Sequence, residues 1–261
     1  AMFGDLQPPF VPGMDLSGVI DEVGEEVTAW QVGDEVISVV DHRATRGAYS
    51  ELLVVSQDSV VRKPAGMEFS TAASFLMNSL TARLALDALG LPTGAALGVT
   101  GGSGAVGGFA VQLAVGDGLR VIADAVADER DLVQGLGASE IVLRIPGQLP
   151  DYRSLRPDGL EALVDGAGLG EQIVPSLRQG GGLAVFRAWE GAPPSGVRVE
   201  QINVRTSVED GPALARLVAQ AEQGVITPRV SAIFPADDVV EAHRLMDAGG
   251  GVGGRIVLEF T

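Results

Sequence analysis

The chain has 261 residues, 46% of them hydrophobic, with 36 glycines, no cysteine, and 18 basic against 34 acidic residues for a formal charge of −16. That length and apolar content indicate a globular protein of one or two domains, while the acidity argues against a nucleic-acid partner, whose phosphates such a surface repels. The missing cysteines exclude disulfides and thiolate zinc sites; no apolar run is long enough for a bilayer and no leader pattern opens the chain, so a cytoplasmic protein with no membrane partner is expected.

Ala1 ahead of Met2 reads as a residue added before an initiator, and 3–12 reads as a loop with Pro8, Pro9 and Pro12. Valines at 19, 23 and 27 among glycines and acidic residues, a turn at 31–34 running into a strand, then 49–55 and 59–62, predict short antiparallel strands closed by a turn at 63–66. From Ser70, a plausible N-cap, the period becomes helical through Ala73, Leu76, Met77, Leu80, Leu84 and Leu86, ending at Gly90. Strands at 95–100 and 119–123 enclose a glycine turn and a helix with Val106, Phe109, Ala110, Leu113 and Ala114 on one face, a βαβ unit. The alternation continues with a helix at 128–136, strands at 140–143 and 160–164, a helix at 170–177, and strands at 183–186 and 197–204. An amphipathic helix at 212–222 follows. The tail predicts a strand at 230–234, a helix at 235–246, a glycine turn at 249–254 and a last strand at 255–260. Repeated βα units predict a doubly wound parallel sheet.

Gly102-Ser103-Gly104-Ala105-Val106-Gly107 is a G-x-G-x-x-G between a strand and a helix. The first glycine permits the turn, the second lets backbone N–H groups approach a pyrophosphate, and the third lets helix and strand pack closely. Dinucleotide binding follows from that context. Asp124 ends the next strand, where a carboxylate would accept the ribose hydroxyls of NAD, yet Arg130 and Arg144 could reach the 2′-phosphate of NADP. A one-residue shift of register reverses the answer.

Landmarks along the chain resemble the medium-chain dehydrogenase/reductase superfamily, in its zinc-free quinone oxidoreductase-like branch. They are Pro12-Gly13-Met14-Asp15, Val23-Gly24, Gly33-Asp34-Glu35-Val36, Gly47-Ala48-Tyr49-Ser50-Glu51, Leu80-Thr81-Ala82, the glycine loop, Leu136-Gly137-Ala138, Val164-Asp165, Gly180-Gly181-Gly182 and Gly253-Gly254-Arg255. The resemblance implies an α/β fold in which a Rossmann doubly wound sheet, 71–224, is inserted into a GroES-like β-rich substrate domain, 1–70 and 225–261. Relatives carry a longer segment before the Pro-Gly-x-Asp motif, so that domain is expected to be incomplete at its N-terminus, with exposed strand edges that favour a homodimer.

The resemblance further implies hydride transfer to a quinone or an α,β-unsaturated carbonyl, with NADP(H) favoured slightly over NAD(H) and no zinc. Zinc relatives have Gly-His-Glu where this chain has Gly13-Met14-Asp15, and neither His42 nor His243 lies in a ligand cluster. Thr81, after Asn78 and Ser79, resembles the position beside the nicotinamide ribose, or bonds only its own helix. Tyr49 is a candidate proton donor or a packing residue, His42 a candidate acid/base group or a solvated loop residue, and His243 is read as structural or exposed. Asp165 at a strand end orients the cofactor or caps a helix, and Trp189 stacks near the nicotinamide or packs a loop. The other reading is a shortened homologue that binds nucleotide or a partner without turnover.

Overall fold

The computed structural model describes residues 10–41, 46–249 and 253–260. His42 and much of the predicted N-terminal loop lie outside the described residues. The chain forms two compact units, Ala1–Leu80 with Val204–Thr261, and Thr81–Asn203. These bounds differ from 70 and 225: the divisions fall ten residues later and about twenty earlier, within a helix and after a strand.

In the first unit, β1 (Asp15–Val19), β2 (Glu35–Val39) and β3 (Val60–Arg62) form an antiparallel sheet in that order. Ile37 pairs with Ser17 on one side and Val61 on the other. Arg62 bonds Asp34 at 3.0 Å, and Asp34 also accepts the Gln31 N–H at 3.1 Å, which pins the turn entering β2. The predicted strand at 49–55 does not form. Leu52 and Val54 are 76% and 84% exposed, and no described strand pairs with that segment, so its alternating apolar pattern has no sheet to join. Helix α1 (Phe69–Ala72) begins after Glu68, not at Ser70, which lies inside it; α2 (Leu76–Leu89) follows after a short break.

The second unit holds β4 (Ala96–Thr100), α3 (Ala105–Gly116), β5 (Arg120–Ala125), α4 (Arg130–Gly135), β6 (Glu140–Leu143), β7 (Leu160–Asp165), β8 (Leu177–Val185) and β9 (Val197–Gln201). All six strands are parallel, in the order β6-β5-β4-β7-β8-β9. The order reverses between β4 and β7, where open sheets of this kind bind ligands. Leu97, Val99, Val121, Ile122, Ala123, Leu163, Val164, Leu183 and Ala184 are fully buried, the continuous apolar runs expected of strands covered on both faces. Helix α3 is buried at every residue from Gly107 to Ala114, so it has no wet face there, unlike the one-sided helix predicted. Two further predictions fail on proline and glycine. Residues 170–176 form a 3-10 segment around Pro175 in place of an α-helix, and β8 starts at Leu177, running through Gly180-Gly181-Gly182. Tyr152 fills the core beside Ile122 and Leu160, its hydroxyl donating to the Val99 carbonyl at 2.7 Å.

The chain completes the first unit with α5 (Gly211–Glu222), β10 (Val230–Pro235), α6 (Val239–Asp247) and β11 (Arg255–Glu259). Asp210 caps α5 by accepting the Ala213 N–H, Pro212 sits in its first turn, and Leu214, Leu217 and Val218 are buried. Helix α5 packs on β3, and β10 pairs with β11 in parallel. No described helix is long and apolar enough to cross a membrane.

Candidate functional site

In the second unit the chain leaves β4 at Thr100 and turns through Gly101, whose φ of +67° favours glycine. The left-handed residue is thus the one before the motif; Gly102 serves another need, because a Cβ on it would lie 2.9 Å from the Asp124 carbonyl oxygen at the end of β5. Gly104 has extended backbone as the cap residue of α3. A Cβ on Gly107 would stand 2.1 Å from the Gly101 oxygen, so only glycine lets α3 start this close to the turn. The result is a helix N-terminus whose free N–H groups follow Gly104, at the strand-order reversal, the arrangement that receives a phosphate.

Six side chains surround the turn. Thr100 Oγ1 donates to Asp165 Oδ1 at 2.7 Å and accepts the Ala167 N–H at 3.0 Å, while Asp165 Oδ2 accepts the Gly170 N–H at 2.8 Å. Asp165 therefore ties the ends of β4 and β7 together, and both its oxygens are engaged. Asp124 is fully buried and accepts the Gly101 N–H at 2.7 Å. Burial pushes its carboxyl up, against the pull of Arg144 and that N–H. Arg144 lies 3.8 Å from Asp124 and 3.5 Å from Glu129, and Glu129 accepts the Ser103 hydroxyl at 2.6 Å. The structure thus brings Ser103, Asp124 and Arg144 together, joined by Glu129, which the sequence reading did not name. Its only signal was a place in the charged run 128–131, which reads as solvated helix start. Arg130 is exposed at the start of α4 and makes no ion pair among the described residues. Thr81 is buried in α2.

A cavity of about 260 Å³ opens at the same sheet end, lined by Asp165–Gly168 and Gly170 after β7 and by Val185–Trp189 at the end of β8. Trp189 donates its backbone N–H to Gln201 at 2.9 Å and packs on the core, while its buried indole N–H has no acceptor among the described residues.

In the first unit, Tyr49 and His243 share a hydrogen bond of 3.3 Å between Oη and Nε2, their rings edge to face at 5.9 Å. Burial raises the Tyr49 hydroxyl's pKa and Arg255 opposes it. Exposed His243 therefore has a partner that spacing alone could not reveal, 194 residues away in sequence. Asp15 Oδ1 accepts the Met77 N–H at 2.7 Å in the first turn of α2, while its buried Oδ2 has no partner among the described residues. Burial raises this carboxyl to about 6, with Arg255 and the Met77 N–H pulling the other way. Asn78, next in the same turn, is buried, and its amide nitrogen has no acceptor among the described residues. Among the described residues no three histidine, aspartate or glutamate side chains gather as a metal site.

Comparison with known proteins supplies a context. A profile of the alcohol dehydrogenase GroES-like domain matches residues 2–65, and one described as zinc-binding dehydrogenase matches 136–258. The 2-methylene-furan-3-one reductase of Solanum lycopersicum is 30% identical over 95% of this chain and 63% of its own length. The chloroplastic NADPH-dependent alkenal/one oxidoreductase of Arabidopsis thaliana is 28% identical over 97% of this chain and 65% of its own. The chain thus spans just under two thirds of these relatives. The native structure of a mycobacterial protein complexed with NADPH superimposes with a TM-score of 0.83 at 26% identity, covering 98% of this chain and 84% of that one.

Proposed function

The chain belongs to the medium-chain dehydrogenase/reductase superfamily, in its quinone oxidoreductase-like branch, and from that premise we propose that it is a zinc-independent NAD(P)H oxidoreductase that reduces a quinone or an α,β-unsaturated carbonyl. One observation carries the reading: the glycine turn lies where the strand order reverses, and Gly107 leaves no room for a Cβ between turn and helix. That cradle fits a dinucleotide diphosphate, with the α3 N–H groups following Gly104 as its donors. When bound, the nicotinamide supplies a hydride from C4 to the electron-poor carbon.

The chain's own residues do the rest. Ser103, held by Glu129, fixes the turn, and Asp165 holds the two strand ends at a set spacing through Thr100 and Gly170. Thr81 serves the nicotinamide ribose, and Trp189 with its neighbours walls the cavity against water. We read Tyr49 as the donor that returns a proton to the reduced substrate, His243 reprotonating it through their shared bond, and Asn78 as a donor to the substrate oxygen. Zinc independence rests on the donor set: no cysteine, and the Met14 thioether where zinc relatives have histidine.

NADP(H) is favoured over NAD(H) because Asp124 is buried and engaged by the Gly101 N–H, whereas the cationic Arg130 and Arg144 lie beyond the end of β5. Exposed Leu52 and Val54 support a homodimer, and a cytoplasmic setting belongs to the same reading. The test is titration of the purified full chain with NADPH and NADH, followed by loss of NADPH absorbance on adding an enone or a quinone. Binding with no oxidation by any acceptor would refute catalysis; absence of binding would refute the cofactor.

A further inference from the structure

We propose that Arg255 is a positioning residue of the reaction: shared between Asp15 and Tyr49, its guanidinium balances the tyrosinate that Tyr49 becomes when it gives up its proton. This rests on the reductase reading above, in which Tyr49 is the proton donor, and adds a residue to that site. Elements of the first unit bring the groups together. Tyr49 is held against the chain entering β1: its backbone N–H donates to Pro12 at 3.0 Å, and the Ala48 N–H donates to Gly13 at 3.1 Å. The Tyr49 ring would lie 2.8 Å from a Cβ on Gly13. Asp15 is two residues further on, within about 7 Å of Gly13 by the reach of the chain. The Tyr49 hydroxyl meets His243 of α6 at 3.3 Å, at the exposed side of the unit where a substrate has access. Helix α6 packs on β11, which begins at Arg255, and α1 packs on both β1 and β11. Half-buried Arg255 is pinned at its backbone, its N–H donating to Arg229 at 2.7 Å and its carbonyl accepting the Ser231 hydroxyl at 3.2 Å.

The electrostatics agree with this placement. Burial raises both the Asp15 carboxyl and the Tyr49 hydroxyl, and the Arg255 charge opposes it at both. The other charges near His243 on α6, Glu241 and Arg244, pair with each other. The chemistry calls for such a cation. Hydride addition leaves the reduced enone as an enolate; the Tyr49 O–H bond then breaks, the proton passes to the enolate, and the electron pair stays on Oη. A half-buried oxyanion is costly without an opposite charge close by. A phenolate only accepts hydrogen bonds, so His243 donates to it through Nε2 and returns the proton, which it recovers from water. Arginine stays cationic wherever a phenol titrates, so its pull persists through the cycle.

The chain makes the test direct. It has two tyrosines, and Tyr152 is fully buried, donates to Val99 and is held by burial well above the ordinary phenol range. Tyrosinate absorbance in an alkaline titration of the folded chain therefore reads Tyr49, and Tyr49→Phe should abolish it. Arg255→Gln is expected to lower the ratio of tyrosinate to tyrosine severalfold at each pH. Arg255→Lys should restore it below about pH 10, where an ammonium is still charged. Asp15→Asn, which removes the other group that Arg255 serves, should raise the ratio, and it keeps the test decisive if Arg255→Gln does not fold. In turnover of an enone with NADPH, Arg255→Gln should lower kcat about tenfold and leave KM within about twofold, with Arg255→Lys recovering most of the loss. A Tyr49 titration unmoved by these substitutions overturns the proposal. So does a titration that moves while kcat stays unchanged, since Arg255 would then act on a tyrosine that gives no proton. Wild type that oxidises NADPH with no acceptor overturns the reductase reading instead, and the two failures are told apart because the titration needs no turnover.

Discussion

Replacing Asp15 by Asn should flatten the pH dependence of stability. Asp15 titrates at about 6 in the folded chain against 3.8 in an exposed carboxyl, because burial disfavours its charge more than Arg255 and the Met77 N–H favour it. For a carboxyl raised in the folded state, the stabilising contribution is full below the unfolded value and is lost as pH rises through the folded one. Near pH 5 the folded state holds the proton and the unfolded state has released it; near pH 8 neither holds it. Linkage over that span gives about 1.4 kcal/mol lost by wild type as pH rises from about 5 to about 8. Asparagine keeps an oxygen for the Met77 N–H and never ionises. Relative to wild type, Asp15→Asn should therefore gain about 1.4 kcal/mol between about pH 5 and about pH 8. Urea unfolding of both proteins, followed by circular dichroism at each pH, reads this directly. Parallel pH profiles for the two would show that Asp15 ionises as easily folded as unfolded, and the account of its burial would be wrong.

Gly107→Ala places a Cβ 2.1 Å from the Gly101 oxygen, which neither backbone can absorb in place; stability should fall by about 1–3 kcal/mol and the Kd for both dinucleotides should rise about tenfold or more, as urea midpoints and fluorescence titration would register. Arg144→Ala should raise the Kd for NADPH about tenfold relative to NADH, the loss of one charge-assisted contact, and an unchanged ratio would remove Arg144 from the 2′-phosphate. Tyr152→Phe deletes the 2.7 Å bond to Val99 inside the core and should cost about 1–3 kcal/mol in urea unfolding with little effect on cofactor Kd.

The parts of the fold that were legible are those where burial and chain geometry speak through neighbouring residues. The run 95–100 followed by glycines announced β4 and its turn because a strand buried on both faces must be apolar throughout, and the turn must shed side chains. Where partners are distant the signal vanished. Segment 49–55 has the composition of a strand, but a strand exists only when another is beside it. Tyr152 sits among prolines, charged residues and only scattered leucines, so no period marks it as core. The helix read at 170–177 overlooked Pro175, and the strand read at 183–186 starts earlier than expected, because β8 already runs through Gly180-Gly181-Gly182. At the candidate site, Ser103, Asp124 and Arg144 could be named from the sequence because the glycine motif and the strands after it fix their place relative to the turn. Glu129, Asp15 and the Tyr49–His243 pair escaped because each depends on a contact across the fold.

The bonds joining Thr100, Asp165, Ala167 and Gly170 have a kinetic consequence. They use two backbone amides and one hydroxyl to hold the loops that border the crevice. The Ala167 and Gly170 amides should therefore exchange with deuterium slowly in the free protein, and no faster than in the loaded one. Loops held by such bonds spare an incoming molecule part of the ordering entropy of loop closure. Association is then limited by diffusion and orientation, and differences in affinity between ligands are expressed in how slowly each departs.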